Sequence, residues 1–70
     1  MSTWQEALVH MMEDERHSAG IACPVNGYMT FRVKHKEVQR EIFDGLARWV
    51  PEPPSTELKQ SDKFELLEPF

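Results

Sequence analysis

The stretch Lys36–Val50, KEVQREIFDGLARWV, decides how the rest of the chain can be arranged. Wound at 3.6 residues per turn, it puts Val38, Ile42, Phe43, Leu46, Trp49 and Val50 on one broad apolar face. Lys36, Arg40, Asp44 and Arg48 fall on the other. The spacing predicts a helix from about Lys36 to Trp49, ended by Pro51, because the residue before a proline disfavours helical angles. Gly45 lies at the edge of the apolar face, where it costs ~1 kcal/mol of helix propensity relative to alanine. Close approach of another element is the expected compensation.

Upstream, Gly20–Lys34, GIACPVNGYMTFRVK, predicts a β-hairpin about Asn26-Gly27. A two-residue Asn-Gly turn would set Ile21 and Cys23 on the face of Thr30 and Arg32, with Met29, Phe31 and Val33 opposite. A three-residue loop, Val25-Asn26-Gly27 with Gly27 left-handed, pairs Cys23 with Met29 and Ile21 with Phe31. That gathers the apolar groups on one side and leaves Tyr28, Thr30, Arg32 and Lys34 wet.

At the N-terminal side, Thr3 and Glu6 fit a capping box. Trp4, Ala7, Leu8, Met11 and Met12 follow at helical spacing, which predicts a helix from about Trp4 to Ser18 with Gly20 as its stop. The same spacing places the Met11-Met12 pair in the core, or in a homodimer interface if so small a core is incomplete. Downstream, PEPPSTELKQSD is a proline-rich connection. KFELLEPF is either an edge strand using Phe64 and Leu66 or Leu67, or a mobile tail of the kind that docks. The expected fold class is therefore α+β, a small single domain of order α-β-β-α with a possible short C-terminal strand. An antiparallel hairpin would pack against two helices, with residues 1–50 as the compact core and 51–70 as connection and strand or tail.

Composition bounds the function. A chain of 70 residues, 40% hydrophobic with a formal charge of −4, can fold, but it buries only roughly 60% of the surface its unfolded form exposes. The single cysteine excludes an internal disulfide framework and fits a reducing compartment. MSTWQEALVHMMEDE has no basic region or long apolar run, so a soluble, cytoplasmic protein away from membranes is expected.

Candidate chemistry is sparse. His10, Glu13, Asp14 and His17 would share one side of a helix, and Cys23 and His35 could complete a zinc site. The spacing is not a recognised zinc pattern and the side lies opposite Trp4 and Leu8, so a solvated face without metal is expected. Cys23 shows no accompanying base and is expected to be a small buried hydrophobe. No carboxylate pair suggests separated acid and base roles, and three dispersed glycines make no phosphate cradle. No catalytic residue and no cofactor is expected.

One feature stands out. Residues 32–41 hold four of the eight lysines and arginines, and charge sums to −3 over residues 1–19, +2 over 20–49 and −3 over 50–70. Arg40 has helical neighbours Glu37 and Asp44, and Arg48 has Asp44. Lys34, His35 and Lys36 would crowd a helix start, where the dipole is already positive. The acidic ends could neutralise them; otherwise they await an anionic partner. Tyr28, Arg32, Lys34, Lys36 and Arg40 form the candidate partner-binding surface, an aromatic with arginines. The expectation is a non-enzymatic protein-binding module, a regulator, adaptor or inhibitor of a larger protein with an acidic patch. By size alone it would sit beside phage and mobile-element accessory proteins that act on host enzymes. The alternative is a small nucleic-acid-binding regulator using a basic strand–helix junction at residues 32–40, which both acidic ends oppose.

Overall fold

The computed structural model describes residues 1–25, 27–43 and 45–69, the side chains of Phe43 and Ala47 excepted. Its elements in order are α1 (Trp4–Glu13), β1 (Ser18–Cys23), β2 (Gly27–Lys34), β3 (Glu37–Phe43), β4 (Ala47–Val50), a four-residue helix α2 (Thr56–Lys59) and β5 (Glu65–Leu67). The strands form one antiparallel sheet in the order β4-β3-β2-β1-β5. The chain is a small mixed α and β domain with one substantial helix on a five-stranded sheet.

α1 begins as its sequence requires. The Thr3 hydroxyl accepts from the Glu6 amide at 3.3 Å, and the Thr3 amide donates to the Glu6 carboxylate at 3.0 Å. The helix stops at Glu13, short of Ser18, and Gly20 is a strand residue rather than the stop. Asp14 ends it locally: its carboxylate takes the Arg16 amide at 2.9 Å and the Arg16 guanidinium at 2.8 Å. A short aspartate side chain that satisfies nearby backbone competes with the next helical turn. The His17 amide then donates to the Asp14 carbonyl, which turns the chain back into β1.

The β1–β2 hairpin has the expected faces and a different register. Cys23 pairs with Gly27, Ile21 with Met29 and Ala19 with Phe31, two residues away from the pairing of Cys23 with Met29. A shift of two preserves every side chain's face, so both registers bury the same residues. Gly27 is left-handed, φ 73°, as expected, and Asn26 lies outside the described residues.

The helix expected over residues 36–49 does not exist. β2 turns into β3 through His35 and Lys36, with φ 54° and 64°, and Lys34 pairs with Glu37 across them. Positive φ at both centres of a two-residue loop is the hairpin turn whose twist matches the flanking strands. Gly45, φ 104°, lies in the β3–β4 connection rather than on a helix edge. The inward face of β3 carries Val38, Arg40 and Ile42, so an arginine interrupts the apolar alternation.

One layer of the core is α1 and the other is the inner face of β1, β2 and β5. Trp4, Ala7, Met11, Ala19, Ile21, Met29, Phe31 and Phe64 are buried together, with Leu8, Cys23, Val33, Val38 and Leu58 packed at the margin. Trp4 meets Phe31 edge-on at 6.2 Å and Phe64 at 5.4 Å between ring centroids. The core reaches beyond residue 50: Phe64 is 0% exposed, and its amide and carbonyl bond reciprocally to Ser2 at 2.9 Å. The proline-rich connection joins the two sheet edges, β4 and β5, with Pro54 buried and Leu58 against the core. Three residues that helical spacing assigns to an apolar face are elsewhere. Met12 is 72% and Leu46 80% exposed, and Trp49 is on the sheet face opposite α1, half-buried.

Candidate functional site

The structure separates the five residues of the candidate binding surface. Tyr28, Arg32 and Lys34 alternate along the outer face of β2, Lys36 is in the β2–β3 turn, and Arg40 points inward from β3. Arg40 is not a member of the basic surface. Its guanidinium pairs with Glu52 at 2.9 Å, not with a helical neighbour, and its Nε is buried with no hydrogen-bond partner. The pairings proposed through Asp44 lie outside the described residues.

Tyr28 and Arg32 are engaged on the open face. The Tyr28 ring lies over Gly20, where any side chain would collide with it, and its hydroxyl bonds to Glu65. An aromatic laid across a strand glycine covers backbone that a side chain would otherwise shield. Burial, then the Glu65 charge, then that hydrogen bond hold the phenol above its ordinary pKa. The Arg32 guanidinium stacks 4.3 Å above the Trp49 ring, and its Nε donates to the Gln39 side chain at 2.9 Å.

Lys34 and Lys36 remain. Among the described residues neither forms an ion pair, although Glu15 of the acidic N-terminal stretch lines the same groove. No helix dipole acts on them, because they flank a strand–turn–strand tip and no helix starts there. Their position has another consequence. With His35 they rim a groove of about 540 Å³ between the end of α1 and the hairpin tip. Leu8, Met11, Met12, Val33 and Val38 supply its apolar lining, and Glu15 stands on the helix side. Helical spacing had assigned Met12 inward; its exposure beside Val33 and Val38 follows from strand β3 replacing a covering helix.

The polar side of α1 also differs from expectation. His10 is only 7% exposed, and its Nε2 donates to the Leu67 carbonyl at 2.8 Å. His17 reaches it because the chain turns back after Asp14, not through helical spacing. Its Nδ1 donates to the His10 carbonyl at 2.8 Å, and the two rings stack at 4.1 Å and 7°. Glu68, distant in sequence and outside any helical spacing with them, joins them: one ring nitrogen from each histidine and a Glu68 carboxylate oxygen lie within 4.8 Å of one another. Among the described residues, Glu13, Asp14, Cys23 and His35 are not part of this cluster. The Asp14 carboxyl is instead held well below the usual carboxylate range by the Arg16 side-chain and backbone bonds.

Among the described residues no helix is long and apolar enough to cross a membrane. No protein-family model, curated protein or solved structure matches the chain at a significant level.

Proposed function

We propose that the chain is a non-catalytic protein-binding module, a regulator, adaptor or inhibitor of a larger protein, and that it grips an acidic amphipathic segment. The observation that carries this reading is the groove between α1 and the hairpin tip. Apolar anchors would enter over Met12, Val33 and Val38, and carboxylates would meet Lys34 and Lys36 at the rim. The turn supports it. His35 and Lys36 hold left-handed angles that side chains adopt at a cost, where asparagine and glycine would be at ease. Retaining two basic side chains at such a turn is explained if they touch a partner.

The test is a pull-down from native cell extract with three baits: wild type, Lys34→Glu/Lys36→Glu and Met12→Lys. Both variants should lose the same partner, and rising salt should weaken the wild-type capture. A partner list unchanged by both sets of substitutions refutes the groove.

A second reading rests on Arg32 over Trp49, a cation–aromatic platform on an open antiparallel face of the kind that stacks bases. Glu37, Glu41 and Glu65 share that face and oppose phosphate. Salt-steep binding to random nucleic acid at about 50 mM salt would favour this reading over the first.

A further inference from the structure

We propose that His10, His17 and Glu68 form a binding site for a divalent transition-metal cation, with Zn2+ the best match to the donors. α1 and the turn just after it contribute the two histidines, and the residues following β5, far along the sequence, contribute Glu68. One ring nitrogen of each histidine and a Glu68 carboxylate oxygen already lie within 4.8 Å of one another.

The hydrogen bonds make these imidazoles competent ligands. A backbone carbonyl only accepts, so the Leu67 carbonyl places a proton on Nε2 of His10, and the His10 carbonyl places one on Nδ1 of His17. In each neutral ring the other nitrogen carries a bare lone pair. Those are Nδ1 of His10 and Nε2 of His17. A ligating histidine whose second nitrogen is anchored to a carbonyl or carboxylate is the usual arrangement at protein metal sites, because the anchor fixes tautomer and orientation.

The donor set discriminates among cations. Two imidazoles and one carboxylate suit zinc and its neighbours, whereas calcium and magnesium take oxygen shells. Three protein ligands leave a fourth, tetrahedral position for water. Zinc–nitrogen bonds of about 2.0–2.1 Å in tetrahedral array hold two nitrogens roughly 3.3 Å apart. Binding therefore turns the rings out of their parallel stack about the nitrogens already anchored. Glu68 is exposed and lies just past β5, so it can close the remaining distance. A bound ion would tie the last strand to the first helix, a cross-link of the kind that small domains use in place of a larger core.

The experiment is zinc titration of the tag-free chain by calorimetry, with melting followed in parallel. Cys23→Ser is included so that the thiol cannot account for uptake. Wild type and Cys23→Ser should bind one equivalent and melt higher with zinc. Glu68→Gln should lower the affinity at least tenfold while the metal-free melting temperature stays unchanged. His17→Gln should lower the affinity further. Long-range proton–nitrogen spectra should place the ion on Nδ1 of His10 and Nε2 of His17. No saturable uptake at about 100-micromolar zinc, a Kd worth only ~5.5 kcal/mol, or uptake that survives both Glu68→Gln and His17→Gln, overturns the assignment.

Discussion

Replacing Phe64 with alanine asks whether the segment after the proline-rich connection belongs to the fold or merely trails it. Phe64 is 0% exposed, touches Trp4 at 5.4 Å, and is clamped by two backbone bonds to Ser2. Truncating a buried phenylalanine costs about 3–5 kcal/mol, the lost transfer energy plus the cavity left behind. A chain of 70 residues has roughly 3.5–10 kcal/mol of stability in total, at about 0.05–0.15 kcal/mol per residue. Phe64→Ala therefore removes a large share of it, and the unfolding equilibrium rises on the order of 10²–10⁴-fold. Leu66 is two residues along on the same face but 43% exposed, so Leu66→Ala should cost about 1 kcal/mol or less. Urea unfolding followed by tryptophan fluorescence measures both, and Phe64→Leu provides a milder step if the alanine variant does not fold. Should Phe64→Ala fall within about 1 kcal/mol of wild type, alongside Leu66→Ala, the packing described for the last strand is wrong.

Three further outcomes are expected. His35→Asn/Lys36→Gly gives the β2–β3 turn residues suited to its angles and should stabilise the chain by about 1 kcal/mol in urea while weakening partner capture; a fall in stability refutes the turn geometry. Tyr28 is the only tyrosine, so absorbance at rising pH reads it directly. Its midpoint should lie above the ordinary value of about 10 and return toward it in Glu65→Gln. Because the folded pKa is raised, the stability linked to Tyr28 is full below about pH 10 and is lost as pH climbs through the folded value. An ordinary midpoint in the folded chain rules out the Tyr28–Glu65 contact. At the other limit, bonds from the Thr3 amide and hydroxyl lower the Glu6 pKa. That contribution is present above about pH 4 and is lost as pH falls through the depressed value. Thr3→Ala should lower the urea midpoint at pH 7 and flatten its acid limb, and an unchanged midpoint counts against the capping box.

How much of this was legible depends on how local the determining interaction is. The capping box of α1 needs only Thr3 and Glu6, three residues apart, and it was readable. The faces of β1 and β2 were readable because alternation at period two reports them, but their register was not. Pairings two residues apart bury the same side chains, so the apolar pattern cannot choose. The sequence of β3 and β4 mimics a helix for two physical reasons. Arg40 occupies an inward position between Val38 and Ile42, which breaks the alternation, and His35-Lys36 lacks the residues that normally announce a hairpin turn. Asp44-Gly45 was the compositional signal for the following turn, and it outweighs an apolar recurrence that includes Leu46, 80% exposed. At the candidate sites, charge alone singles out Lys34 and Lys36. The groove they rim depends on α1 and β3 coming together, and Glu68 meets His10 only through the pairing of β5 with β1.

The reciprocal bonds between Ser2 and Phe64 also bear on how the chain is made. The phenylalanine that completes the packing of Trp4 lies sixty residues after it, so the core cannot close until that whole intervening stretch has been synthesised. Before that point α1 can form, but its apolar stripe has no complete surface to rest on. The fold is thus completed only once Phe64 has emerged, rather than progressively as the earlier strands appear. Nascent chains stalled before Phe64 should present Trp4 and Met11 to solvent and to chaperones.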